Sequence, residues 1–298
     1  MIIYTKKDSD ADFPRFGESR SELLQTIKLE NENLICVAGR PGMGKTSLAL
    51  HLAHEYARNS SKAVYIFTME LLANHVYDRL LISLSKVDSY TFRENLFSAS
   101  ETERIELAKK QLSQMNLIID DETNFLTVSQ IKERIEKFKN IGLIVIDCFQ
   151  LLFPEERMID QIQERYEMCR QLKRLSKQLN IPIILTSQLP RSVESRVDKR
   201  PRLTDLNGTG ILEHDVDVVC FLYREGYYEP FEHADKAEII IPKNKQGIFG
   251  TILLKWEGQF MKFSSDTRLN NKFINVRGNN ARKGLQTRYA GQKRAQTS

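Results

Sequence analysis

The sequence predicts an α/β fold: a mostly parallel central sheet flanked by helices, with a C-terminal antiparallel β-hairpin edge. Three observations predict it. Strand-like and helix-like segments alternate from Leu34 onward. The strand-like segments are β-branched and apolar almost throughout, as strands buried on both faces must be. The last two have only a turn between them, and a turn that short joins antiparallel strands.

Taken in order, residues 1–16 read as a short mixed-charge lead-in, and helical spacing begins around "SRSELLQTI". The strands are "LICVAG", "AVYIFT", "LIVID", "PIILTS", "VDVVCFLY", "AEIIIPK" and "TILLKW", with "NLIID" as a further candidate. Between them lie amphipathic helices. "SLALHLAHEYA" has helical spacing directly after the first of these strands. "VSQIKERIEKF" places Val128, Ile131, Ile135 and Phe138 on one face, and Thr127 and Gln130 have capping-box spacing at its start. "QIQERYEMCRQLKRLSKQL" aligns Ile162, Tyr166, Cys169, Leu172, Leu175 and Leu179. Its opposite face is strongly basic and reads as solvated surface. Hairpin turns fall at Gln246-Gly247 and Glu257-Gly258. The chain therefore divides into a lead-in (1–16), one large domain (17–265) and a C-terminal tail (266–298).

The bulk numbers agree. With 298 residues, 41% hydrophobic and 28% charged, the chain can bury a core without staples. Its four cysteines are scattered with no C-x-x-C pair, which argues against a zinc site or a disulfide framework and for a reducing cytoplasm. No apolar run is long enough to span a membrane, and the first residues lack a signal-peptide layout. The tail holds eight Lys/Arg against a single acid, whereas the whole chain is only +5. It reads as a disordered basic extension suited to an acidic partner, nucleic acid above all.

Chemistry enters at "GRPGMGKTS". Gly39, Gly44, Lys45 and Thr46 satisfy G-x-x-x-x-G-K-[ST], the P-loop pattern. Gly39, Arg40, Pro41, Gly42, Met43, Gly44, Lys45, Thr46 and Ser47 would cradle phosphates through backbone N–H groups and a helix N-terminus. Lys45 would reach the β/γ oxygens, and Thr46 would hold Mg²⁺. "GLIVIDCFQLL" ends an apolar strand on Asp147, the Walker B arrangement, where a carboxylate would hold the metal through water. Glu70 follows "YIFTM" and either orients an attacking water or caps a helix. Gln188 ends "IILTSQ" and either reads the γ-phosphate or caps a turn.

In chain order, "GRPGMGKTSLAL", "YIFTMELLANHVYDRLL", "GLIVIDCFQLL", "SQLPRSVESRVDKRP", "DLNGTGILEHDVDVVCFLYR" and "AEIIIPKNKQGIFGTILLKWEGQFMKF" resemble the C-terminal motor domain of DnaB-type replicative helicases, over roughly 16–263. The resemblance implies a RecA-like P-loop NTPase and a ring-shaped homo-oligomer, a hexamer in the family, moving on single-stranded DNA with ATP and Mg²⁺. It makes Glu70 the catalytic glutamate, Asp147 the Walker B acid and Gln188 the sensor. Lys243 and Lys245 fall in the segment that reaches a neighbouring subunit's ATP. Asn207, Gly208 and Gly210 fall on the loop that tracks DNA. A helicase loader or primase is an implied partner, and the cytoplasm of a bacterium, or of a phage host, is the implied location. Three features depart from the family. Only a short lead-in replaces its helical N-terminal domain. "KNK" stands for K-Q-R, and "DLNGTG" stands for D-L-R-E-S-G. A non-unwinding accessory ATPase of a mobile element is the alternative reading, and a strand-exchange recombinase a weaker third.

Overall fold

The structure is a computed structural model, and it describes residues 2–5, 26–27, 29–209, 211, 213–229 and 234–265. The basic tail, and most of the helical spacing around "SRSELLQTI", lie outside the described residues. One ten-stranded sheet organises the rest. Its strands are β1 (Ile2–Thr5), β2 (Leu34–Gly39), β3 (Ala63–Thr68), β4 (Leu117–Asp120), β5 (Ile141–Asp147), β6 (Ile183–Gln188), β7 (Val218–Tyr223), β8 (Lys236–Asn244), β9 (Gly250–Glu257) and β10 (Lys262–Ser265). They lie in the order β1-β4-β3-β5-β6-β2-β7-β8-β9-β10. The run from β4 to β7 is parallel, and β8 to β10 form the antiparallel edge.

The parallel strands are buried on both faces, because alternate side chains enter two separate cores. From β2, Ile35 and Val37 pack on one side, with Leu48, Leu52, Val76 and Leu80 of helices α1 (Lys45–Asn59) and α2 (Ala73–Ser85). Leu34, Cys36 and Ala38 pack on the other. There they meet Ile131 and Ile135 of the helix Val128–Glu136, and Leu172 and Leu175 of the helix Gln161–Leu179. The Thr127–Gln130 capping box forms as expected.

Two expectations need correction. The lead-in is not merely a lead-in, since β1 pairs antiparallel with β4, Ile3 opposite Ile119, and extends the sheet at its far edge. The stripe predicted on Gln161–Leu179 holds from Cys169 to Leu179 but not in the first turns. Ile162 is 42% exposed, while Glu164 and Met168 are buried. The cause is polar: the Glu164 carboxylate accepts from the Met158 backbone N–H at 2.7 Å and pairs with Arg157 at 3.8 Å. That pairing turns the helix start toward the preceding loop.

Candidate nucleotide-binding site

Parallel strands aim their carboxyl ends at one edge, and the chain uses that edge. Adjacent registers bring Gly39 beside Gln188, and Thr68 beside Asp147. The Met69 N–H then bonds the Asp147 carbonyl at 2.7 Å. Four strand ends thus deliver Gly39–Ser47, Glu70, Asp147 and Gln188 to one place.

The glycine loop has the backbone its sequence demands. Gly42 and Gly44 sit at φ +75° and +98°, where an L side chain is strained. A Cβ at Gly42 would also lie 2.9 Å from the Tyr227 ring, and one at Gly44 would lie 2.9 Å from Phe263. Gly44 caps α1 without a side chain, and no acidic residue occupies the first turn. The helix start therefore keeps its N–H groups and partial positive charge for an anion.

Around this loop the polar groups are tightly arranged. Thr46 Oγ1 donates to Asp147 Oδ2 at 2.8 Å, and Thr186 Oγ1 donates to Asp147 Oδ1 at 2.5 Å. Asp147 is only 4% exposed. Lys45 Nζ bonds the Arg40 carbonyl at 3.3 Å. Burial pulls the Lys45 ammonium below its usual range, while Cys148, Glu70 and Asp147 favour its charged form. Burial raises the Cys148 thiol to about 12, so it stays protonated and donates to Gln150 Oε1 at 3.2 Å. Gln150 in turn donates to Ser187 Oγ at 2.7 Å and accepts from the Gln188 N–H at 3.2 Å. Glu70 and Gln188 are exposed at the mouth of the site.

The other predicted residues lie elsewhere. Lys243 and Lys245 sit at the end of β8, beside the start of β7, since Val218 opposes Asn244. This is the amino edge of the parallel strands. Five strand steps of about 3.3 Å separate it from the P-loop, roughly 17 Å, beyond the reach of a lysine in the same chain. Lys245 Nζ bonds Asp217 Oδ1 at 2.8 Å, and Lys243 Nζ donates to the Glu213 carbonyl. Asp217 also accepts from Lys173 at 2.6 Å and from the Leu34 N–H at 2.8 Å. Lys173, on the face read as solvated, is thus committed to an ion pair. Asn207 and Gly208 lie on a 3-10 helix, Leu203–Thr209, where a loop was expected. Asn207 is exposed, and its carbonyl accepts from Tyr166 Oη at 3.1 Å. Gly210 lies outside the described residues.

Sequence reasoning missed two contributors, Arg79 and an aromatic wall beside the glycine loop. Arg79, on α2, lies near enough to Asp147 and Glu70 for their charges to oppose the downward pull of burial on its guanidinium. The only available signal was an arginine directly before the apolar run "LLI", nine residues after Glu70. Tyr227, Trp256 and Phe263 wall the P-loop, and Arg224 bonds the Gly42 carbonyl at 2.9 Å while lying 4.7 Å from the Trp256 ring centre. Arg40 pairs with Glu194 at 3.0 Å.

A glycine loop opening a helix at the carboxyl edge of a parallel sheet, faced by a buried strand-end aspartate, defines the class: a RecA-like P-loop fold. The family description "DnaB-like helicase C terminal domain" matches residues 23–265, and the chain belongs to that family. The chain is 36% identical over 278 residues to the replicative DNA helicase DnaB of Rickettsia typhi, covering 83% of this chain and 56% of that protein. It is 35% identical over 243 residues to the replicative DNA helicase DnaC of Bacillus subtilis, covering 80% of this chain and 53% of that protein. It thus spans about half the length of the curated relatives it matches. Among solved structures, a DnaB-like replicative helicase, studied with its primase interactions, superposes with a TM-score of 0.77 at 29% identity, over 83% of this chain and 60% of that one. Among the described residues no helix is long and apolar enough to cross a membrane.

Proposed function

We propose that this chain is the motor of a DnaB-like replicative DNA helicase, hydrolysing ATP to move along single-stranded DNA. The observation that carries the reading is the meeting of Lys45, Thr46, Asp147 and Glu70 around an uncapped helix start. The P-loop N–H groups bind the triphosphate, and Lys45 neutralises its β/γ oxygens. Hydroxyl and carboxylate oxygens are the hard donors that Mg²⁺ prefers, and Thr46 and Asp147 lie 2.8 Å apart, so this pair fits the ion and would hold it. When bound, Mg²⁺ offsets phosphate charge. Glu70, exposed beside Lys45 and near the Arg79 charge, orients the attacking water. Gln188, held by Gln150, senses the γ-phosphate.

Lys243 and Lys245 lie too far away to serve their own P-loop, which supports action on a neighbour's ATP in a hexameric ring. Asn207, Gly208 and Gly210 grip DNA phosphates without reading sequence. The residue 17–265 unit is the motor, and the 266–298 tail adds electrostatic grip. A primase or loader and a cytoplasmic location complete the reading.

The test is ATP turnover with and without single-stranded DNA. Stimulation by DNA is expected, and slow turnover indifferent to DNA would favour a non-unwinding accessory ATPase. Removing residues 266–298 should weaken DNA binding and flatten its salt dependence, because fewer counterions are released, while leaving turnover without DNA nearly intact. An unchanged salt slope, measured by fluorescence anisotropy, would show that the tail serves another purpose.

A further inference from the structure

Residues 189–205 join the two ends of the proposed machine. The segment leaves the sensor strand at Leu189, whose N–H bonds the Gly39 carbonyl at 3.2 Å. Arg40, inside the P-loop, donates to the Leu189 carbonyl at 2.7 Å and forks onto both oxygens of Glu194, at 3.0 and 3.4 Å. That contact holds the Glu194 carboxyl below its usual range. Glu194 lies on the 3-10 turn Arg191–Ser195, which Val193 pins to the core. Two residues on, Arg196 makes a second fork, to Asp205 Oδ1 at 2.8 Å and Oδ2 at 2.9 Å. Asp205 sits in the first turn of the 3-10 helix Leu203–Thr209, which carries Asn207. The Arg202 N–H closes that turn on Asp205 Oδ2 at 2.7 Å.

We propose that this strap couples the occupancy of the P-loop to the DNA-contacting helix, with Glu194 and Arg196 as its positioning residues. The inference rests on the reading of Asn207 and Gly208 as a single-strand contact. A planar guanidinium bonded to both oxygens of a carboxylate fixes orientation as well as distance, which a lysine point charge does not. Each fork therefore transmits displacement instead of absorbing it. A phosphate seated in the P-loop moves Gly39 and Arg40. Leu189 and Glu194 follow, because hydrogen bonds tie both of them to that loop. Arg196, two residues beyond Glu194, passes the shift to Asp205. The linkage is reciprocal, so a strand on the helix must bias the P-loop by the same factor. Neither Glu194 nor Arg196 belongs to the set proposed to touch the nucleotide, so cutting a fork should spare the chemistry.

The test uses the full chain with Glu194→Gln and Arg196→Lys, each of which keeps a hydrogen-bonding side chain. Four quantities are measured: ATP affinity, turnover without DNA, affinity for an oligothymidine strand with and without a non-hydrolysable ATP analogue, and turnover at saturating strand. Both variants should keep turnover without DNA within about twofold, while stimulation by the strand, and the effect of the analogue on strand affinity, fall about tenfold, within the usual range of coupling factors. Stimulation retained at the parental level in both variants would overturn the proposal. So would a collapse of turnover without DNA in both, since the forks would then build the ATP site itself. Asn207→Glu, at an exposed position, should lower strand affinity in the same assay. Unchanged affinity there would overturn the reading of the Asn207–Gly208 contact, and with it the DNA end of the strap, even if the forks proved necessary for stimulation.

Discussion

Glu70→Gln is expected to lower ATP turnover a hundredfold or more and leave ATP affinity unchanged, whereas Lys45→Ala is expected to weaken affinity itself. The two residues differ in what they face. Lys45 is half-buried in the P-loop, so its charge meets the triphosphate in the ground state. Glu70 is exposed at the mouth, where a carboxylate meets water instead of phosphate. An amide keeps the shape but cannot accept a proton, so only the chemical step suffers, on the order of a hundredfold. Equilibrium binding of a fluorescent ATP analogue, set beside single-turnover hydrolysis, separates the two effects. Equal loss of binding in both variants would remove Glu70 from the catalytic role.

Lys245→Ala is expected to slow turnover about tenfold or more with little change in ATP affinity, and Lys245→Arg to keep or raise it. A cation on the γ-phosphoryl oxygens stabilises charge that develops in the transition state, and arginine does so with two bonds where lysine offers one. Loss of stability is a poor competing explanation. The Lys245 side chain is 46% exposed, so its ammonium stays largely solvated although Asp217 is buried. Asp217, moreover, retains Lys173 and the Leu34 N–H as partners. Mixing Lys245→Ala subunits with Glu70→Gln subunits should restore part of the activity, because some interfaces then join an intact Glu70 to a neighbour's intact Lys245. No rescue at any mixing ratio, with mixed rings shown by native mass spectrometry, would place Lys245 outside the site.

How much of this was legible in the sequence depends on the range of the interaction. "LICVAG" and "AVYIFT" match β2 and β3 residue for residue, because strands buried on both faces are apolar throughout and end where the apolar run ends. The glycine loop and the place of Asp147 were legible for a local reason too: a tight turn into a helix needs glycines at fixed spacing, and the aspartate ends an apolar strand. β1 was not legible, since four residues in a mixed-charge segment become a strand only by pairing with β4, more than a hundred residues away. Glu164, buried where Ile162 was expected, escaped for another reason: its partners, the Met158 N–H and Arg157, lie in the loop before the helix, outside the helical period. The partners of Asp217, the fork between Arg40 and Glu194, and the wall of Tyr227, Trp256 and Phe263 all join distant segments. Spacing along the chain holds no trace of such contacts. They emerge only when the sheet brings its strand ends together.

The central claim, that hydrolysis at the Gly39–Ser47 loop drives movement along single-stranded DNA, is tested most directly by strand displacement from a forked duplex labelled on one arm. Displacement is expected to require ATP and to be absent in Glu70→Gln. Turnover stimulated by DNA with no displacement at any protein concentration would contradict it.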